Sequence, residues 1–127
     1  MLTIELINNN IPRLQLQDSV GKALQLINDF RVTHLPVVVD SKYLGMVSEE
    51  DLLDVEEEKM PIELMQEAFT NPSVFENEHF LNAVNCSNQF DTTVVPVISQ
   101  AKDFLGVITT SDLLKALGNF AGTNEIG

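Results

Sequence analysis

The stretch LGMVSEEDLL, residues 44–53, has a near copy, LGVITTSDLL, at residues 105–114. A repeat of structural origin keeps one offset over many residues, so the two stretches are worth extending in both directions. At an offset of 61, Leu44, Gly45, Asp51, Leu52 and Leu53 meet identical residues, and Met46, Val47 and Ser48 meet Val107, Ile108 and Thr109. At an offset of 60, Pro12, Ala23, Asn28, Phe30, Thr33, Pro36 and Val37 also meet their own kind. One extra residue between Val97 and Leu105 accounts for the change of offset, and turns accept such insertions. Ile4-Glu5-Leu6 similarly resembles Ile62-Glu63-Leu64. The chain is two copies of one unit, residues 1–60 and 61–122, with a short tail at 123–127.

Composition limits what these copies can be. With 127 residues, 44% of them apolar, the chain suits two half-sized units that share a core, because neither buries enough surface alone. A single cysteine, Cys86, excludes an internal disulfide and agrees with a reducing, cytoplasmic setting. No apolar run reaches the roughly 20 residues of a membrane span, and MLTIELINNN lacks the basic start and apolar core of a signal peptide. A net charge of −12 with seven scattered basic residues repels phosphate backbones and argues against nucleic-acid binding.

The hydrophobic period changes in the same order in both copies. Val20, Ala23, Leu24, Ile27 and Phe30 fall at helical spacing behind Asp18 or Ser19, either of which can cap the first turn; Phe80, Ala83, Val84 and Phe90 repeat the stripe. LPVVV (35–39) and VVPVI (94–98) are β-branched runs, each followed by a polar turn and a second apolar run, and read as hairpins. Pro36 and Pro96 have no backbone donor and are expected at a strand start or edge. Ser48-x-x-Asp51 and Thr109-x-x-Asp112 then open a second helix in each copy, and Pro61 is placed for the first turn of a connecting helix. The expected class is α/β (α+β), a pseudo-twofold pair of β-α-β-β-α units.

The pairing of HLPVVV…YLGMVSEEDLL with VVPVI…FLGVITTSDLL resembles the tandem CBS domain pair of bacterial stand-alone or regulatory proteins. That resemblance covers nearly all of residues 1–118. It implies two clefts between the copies that bind an adenosine-containing ligand, of the AMP, ADP, ATP or S-adenosylmethionine class. It implies a regulatory, energy-sensing module with no catalysis of its own and no required cofactor. It also implies that Asp112 with Thr109, and Asp51 with Ser48, hold ribose and approach phosphate. The physical chemistry agrees, since a carboxylate at a helix start can accept from both ribose hydroxyls while free N–H groups of the first turn face an anion. Yet Ser/Thr-x-x-acid is equally a helix cap worth about 1 kcal/mol with no ligand at all. A structural module that keeps the fold for dimerisation and has lost its ligand is therefore the competing reading.

Two departures from the family pattern concern charge. Where relatives place a basic residue inside the motif, this chain has Glu49-Glu50 in the first copy and the hydroxyl-bearing pair Thr110-Ser111 in the second. Residues 49–58, EEDLLDVEEE, hold seven acids and no base, so the Asp51 cleft is expected to be weak or empty and the Asp112 cleft to bind. The same net charge sets adenosine, AMP or S-adenosylmethionine above ATP without Mg²⁺. Arg13, Arg31 and His34 are the candidate phosphate contacts. The acidic run lacks the glycine and alternating ligands of an EF-hand, and His34 and His79 have no partner at zinc-ligand spacing, so no metal site is expected. Cys86 sits beside an apolar stripe and reads as core. Leu52, Leu53, Leu64, Met65, Leu113, Leu114 and Leu117 exceed what one small core needs, which points to a homodimer. The tail NFAGTNEIG carries no clear terminal element and is read as leading into a further domain.

Overall fold

The computed structural model describes the backbone of residues 1–126 and the side chains of residues 1–119. Each amphipathic stripe forms an 11-residue helix: α1 (Val20–Phe30) and α3 (Phe80–Phe90). Ser19 caps α1 by accepting from the Lys22 N–H, while Asp18 accepts from the Gln15 N–H and pairs with Lys22. Val20, Ala23 and Ile27 are buried, as the spacing requires, but Phe30 and Phe90 at the ends of the stripes are 41% and 37% exposed. Both helices end on a left-handed residue, Arg31 (φ 55°) and Asp91 (φ 50°), which turns the chain back into a strand.

The hairpins form where the β-branched runs predict them. β1 (His34–Val39) pairs antiparallel with β2 (Lys42–Ser48), and β4 (Val94–Ile98) with β5 (Phe104–Thr109). Both hairpins carry a register shift at the same place, between Val37 and Val38 and between Val97 and Ile98. The leading strand of each copy is short: β3 (Val74–Phe75) lies parallel to β4, and in the first copy only Leu14 bridges to Val37. This brevity relocates one proline. Pro96 sits inside β4, the middle strand of three, rather than at a strand start or edge. A proline is tolerated there because the neighbouring leading strand is two residues long and requests few donors.

After each hairpin a second helix begins, the short α2 (Glu49–Leu53) and the 17-residue α4 (Thr110–Ile126). Ser48 Oγ accepts from the Asp51 N–H and Thr109 Oγ1 from the Asp112 N–H, so both motifs are helix caps. The α4 helix runs on through Ile126, which makes the stretch expected to lack an element helical up to there; Gly127 lies outside the described residues. The connecting segment departs from expectation. Pro61 precedes rather than enters the first turn, and residues Ile62–Ala68 form a 3-10 segment broken at Met65. Its early N–H groups are spent elsewhere, Ile62 on the Asp18 carbonyl and Glu63 on the Leu16 carbonyl, and this holds the segment flat against the first copy.

That contact belongs to a mutual exchange. Residues 60–70 pack on the first copy, where Val20 N–H donates to the Met60 carbonyl and Met46 and Thr70 exchange both backbone bonds. Residues 1–8 pack on the second copy, with Thr3 bonded to Glu78, Ile4 to Glu76, and Asn8 to Val107. The two apolar clusters follow the exchange: Ile62, Val94 and Val107 join the first-copy core, while Leu6 and Ile7 lie against the second. Gly45 and Gly106 permit the crossing. A Cβ on Gly45 would stand 2.9 Å from the Thr70 carbonyl oxygen, and one on Gly106 would strike Ile7. Leu52 and Leu113 are buried in these clusters, so only part of the leucine surplus is free; Leu53, Leu64 and Leu114 are exposed.

The local twofold axis passes through a threonine pair. Thr33 N–H donates to Thr93 Oγ1 at 2.9 Å and Thr93 N–H donates to Thr33 Oγ1 at 3.0 Å. Replacing Thr93 with Val keeps the shape and removes the hydroxyl, leaving the Thr33 N–H without its acceptor. The expected loss is about 1–3 kcal/mol in urea unfolding, against a smaller loss for Thr93→Ser, which retains the bond.

Candidate functional site

The caps meet the twofold in a way that builds a cleft. Glu49 N–H donates to the Thr33 carbonyl at 2.9 Å, and its counterpart Thr110 N–H donates to the Thr93 carbonyl at 3.0 Å. Each Ser/Thr-x-x-Asp motif is thereby fastened to the segment that joins the first helix and hairpin of its own copy, beside the matching segment of the other copy. In the first copy this arrangement opens a cavity of about 390 Å³ lined by residues of both copies. Thr33, His34, Met46 and the Ser48–Asp51 motif come from the first, with Ala68, Thr70, Phe90 and Asp91 from the rest of the chain. The volume is within the range of small-molecule sites.

The electrostatics of this cleft are one-sided. Glu49, Glu50, Asp51 and Asp91 line it, and His34 is its only basic side chain. Burial holds the His34 imidazole below its usual value, and this outweighs the upward pull of Asp51 and Asp91. Thr33 Oγ1 lies 2.7 Å from His34 Nδ1, which fixes the ring against the twofold axis.

The second motif is closed onto itself. Asp112 Oδ2 accepts from the Thr109 N–H at 3.1 Å, from the Thr109 hydroxyl at 2.7 Å and from Asn8 Nδ2 at 3.4 Å. Asn8 stands where Thr70 stands in the first cleft, as their matching backbone bonds to Val107 and Met46 show. The open cavity therefore lies on the motif expected to bind less well, while the carboxylate expected to hold ribose is engaged by its own cap. One oxygen, Oδ1, is left out of those bonds.

The remaining candidates separate. Ser111 is exposed in the first turn of α4, and Arg31 is exposed at the end of α1. Arg13 does not join His34. Its guanidinium lies 5.8 Å above the Phe104 ring and lines a different cavity, also about 390 Å³, with Asn8, Pro12 and Gly106. No group of three metal-ligating side chains exists among the described residues. Burial raises the Cys86 thiol, in keeping with its place in the second-copy core. Phe90, Asp91 and Thr70 carry no motif signal in the sequence, although the first two lie at the end of a repeat element, three and two residues before Thr93.

A family model for the CBS domain matches residues 4–58 and again residues 63–119. The chain belongs to the CBS domain family. Solved CBS pairs share the fold at low identity. A CBS domain pair/ACT domain protein from Thermotoga maritima has a TM-score of 0.83 at 18% identity, with 94% of this chain and 98% of that chain covered. A putative acetoin utilization protein from Vibrio cholerae gives 0.80 at 20%, covering 100% of this chain and 97% of that one. CBSX2, solved in complex with AMP, gives 0.73 at 20%, covering 94% and 98%. The tandem pair and its repeated mixed α/β units are thus established for this chain, and no described helix is long and apolar enough to cross a membrane.

The His34 site makes a prediction for the CBS pair. Because its folded value is depressed, the unfolded chain takes up the proton first, so stability is full above about pH 6.5 and declines as pH falls from there through the folded value. Its counterpart in the second copy is Val94, so His34→Val is compatible with the fold. Urea unfolding at pH 7.5 and 5.5 is expected to show a larger loss in the wild type than in His34→Val, the difference isolating this residue from the carboxylates.

Proposed function

We propose that this CBS pair is a regulatory module, without catalysis of its own, that binds an adenosine-containing ligand in the clefts between its copies. The observation that carries this reading is the cleft of about 390 Å³ lined both by a helix-start carboxylate, Asp51, and by an aromatic ring from the other copy, Phe90. A carboxylate at that place suits the two ribose hydroxyls, and an exposed ring offers a face for a purine. In the second cleft Asp112 has Oδ1 for the same task, with Thr109, Thr110 and Ser111 at the start of α4. The AMP complex of CBSX2 supports this ligand class by fold relationship. A ligand in such a cleft touches both copies and the exchanged segments, so it shifts their relative position by its differential affinity for the two arrangements.

The module acts as a homodimer in this reading. Leu53 and Leu114 occupy equivalent places on α2 and α4 and are 66% and 69% exposed, and Leu64 is 71% exposed. A set of large side chains left in water by both copies is what a self-complementary interface covers.

Thermal unfolding with adenosine, AMP, ATP and S-adenosylmethionine tests the ligand. A native-state ligand at about 100 times its Kd adds about 2.7 kcal/mol, so a melting temperature unmoved by all four at millimolar concentration removes the reading in favour of a ligand-free structural module. ATP is expected to trail AMP without Mg²⁺, because each added phosphate enters the field of a chain with net charge −12.

Light scattering tests the assembly. At micromolar concentration the mass is expected at twice the 14.1 kDa of one chain, falling to one chain in Leu53→Glu/Leu114→Glu, whose exposed positions leave the fold intact.

A further inference from the structure

The two clefts are related by the threonine pair, so their linings can be compared position by position. Asp91 of the first cleft is the left-handed residue that ends α3, two residues before Thr93. Its counterpart is Arg31, the left-handed residue that ends α1, two residues before Thr33. Since Thr33 and Thr93 bond reciprocally, and Glu49 and Thr110 make matching bonds to their carbonyls, the twofold sets Arg31 beside Thr109–Asp112 as Asp91 is set beside Ser48–Asp51. The same operation exchanges Glu49 and Glu50 for Thr110 and Ser111, and His34 for Val94.

The outcome is opposite charge at two equivalent motifs. The first holds Glu49, Glu50, Asp51 and Asp91, none of which takes part in either ion pair among the described residues. By the same operation the second motif carries one acid, Asp112, with Arg31, likewise outside those ion pairs, at the position that Asp91 holds in the first, and with the hydroxyl-bearing Thr109, Thr110 and Ser111. A phosphate placed at the first motif meets uncompensated like charge; at the second it meets the hydroxyls of Thr110 and Ser111, the positive end of a 17-residue helix and a planar fork of donors.

Building on the nucleoside reading above, we propose that the two clefts select ligands of opposite 5′ charge. The Asp51 cleft takes a purine nucleoside with a cationic 5′ substituent, and the Asp112 cleft takes one with a 5′ phosphate. The module then reads two inputs rather than one ligand twice.

Calorimetry without divalent metal, using S-adenosylmethionine, adenosine and AMP, tests the assignment on the full chain and on Asp91→Asn and Arg31→Asn. Asparagine tolerates the left-handed backbone at both exposed positions, so both variants are expected to fold. Asp91→Asn is expected to weaken S-adenosylmethionine about tenfold and leave AMP unchanged, and Arg31→Asn to do the reverse, as one removed charge at cleft distance implies. Adenosine, which carries neither charge, is expected to change little in either variant. Binding that persists while both variants leave all three affinities unchanged overturns the charge assignment alone, as does competition of AMP and S-adenosylmethionine for one site. Binding by none of the three overturns the nucleoside reading and the assignment with it.

Discussion

The reciprocal hydrogen bonds between Thr33 and Thr93 fix everything else about how the two copies meet. Each hydroxyl satisfies the other copy's backbone N–H, so the pair tolerates no slip in register without leaving a donor unsatisfied in a partly buried place. The carbonyls of the same two residues receive the first N–H of α2 and α4. One residue per copy thus ties together the end of the first helix, the start of the hairpin and the cap of the second helix. The clefts are the space left beside this junction.

Around it, the exchange of leading segments makes the copies dependent on each other. Residues 1–8 complete the second core and residues 60–70 the first, with Ile62 fully buried among first-copy side chains. A unit of about 60 residues buries too little surface to be secure alone, and the exchange lets two such units share their apolar surface. It also means that a ligand in either cleft touches a segment whose other contacts belong to the opposite copy. Thr70 in the first cleft and Asn8 in the second are those segments' contributions.

The two clefts have diverged within this frame. In the first, the carboxylate of Asp51 stands in an open, acidic cavity; in the second, Asp112 folds back on Thr109 and Asn8. The difference traces to a few side chains. A longer amide at Asn8 reaches the Asp112 carboxylate where the shorter Thr70 stands near Asp51, and a threonine hydroxyl donates to Asp112 where Ser48 only accepts. Equivalent motifs therefore need not offer identical sites.

Periodicity and repetition in the sequence determined the helices, the hairpins, the two capped motifs and the family, because these depend on local spacing that survives in both copies. Pro96 in a central strand, the flattened segment after Pro61 and the exposed ends of the helical stripes were settled by packing. In each case a neighbour distant in sequence changed which backbone and side-chain groups had partners. The site was legible only by halves. Ser48, Asp51, Thr109 and Asp112 could be read from their motif, but Phe90, Asp91, Thr70 and Asn8 enter through the twofold and the exchanged segments. Charge followed the same division. Composition determined that the chain as a whole is acidic, whereas the placement of Asp91 in the cleft of Asp51 was decided by tertiary structure, because the end of α3 and the start of α2, separated by a long stretch of chain, are brought together beside a single axis.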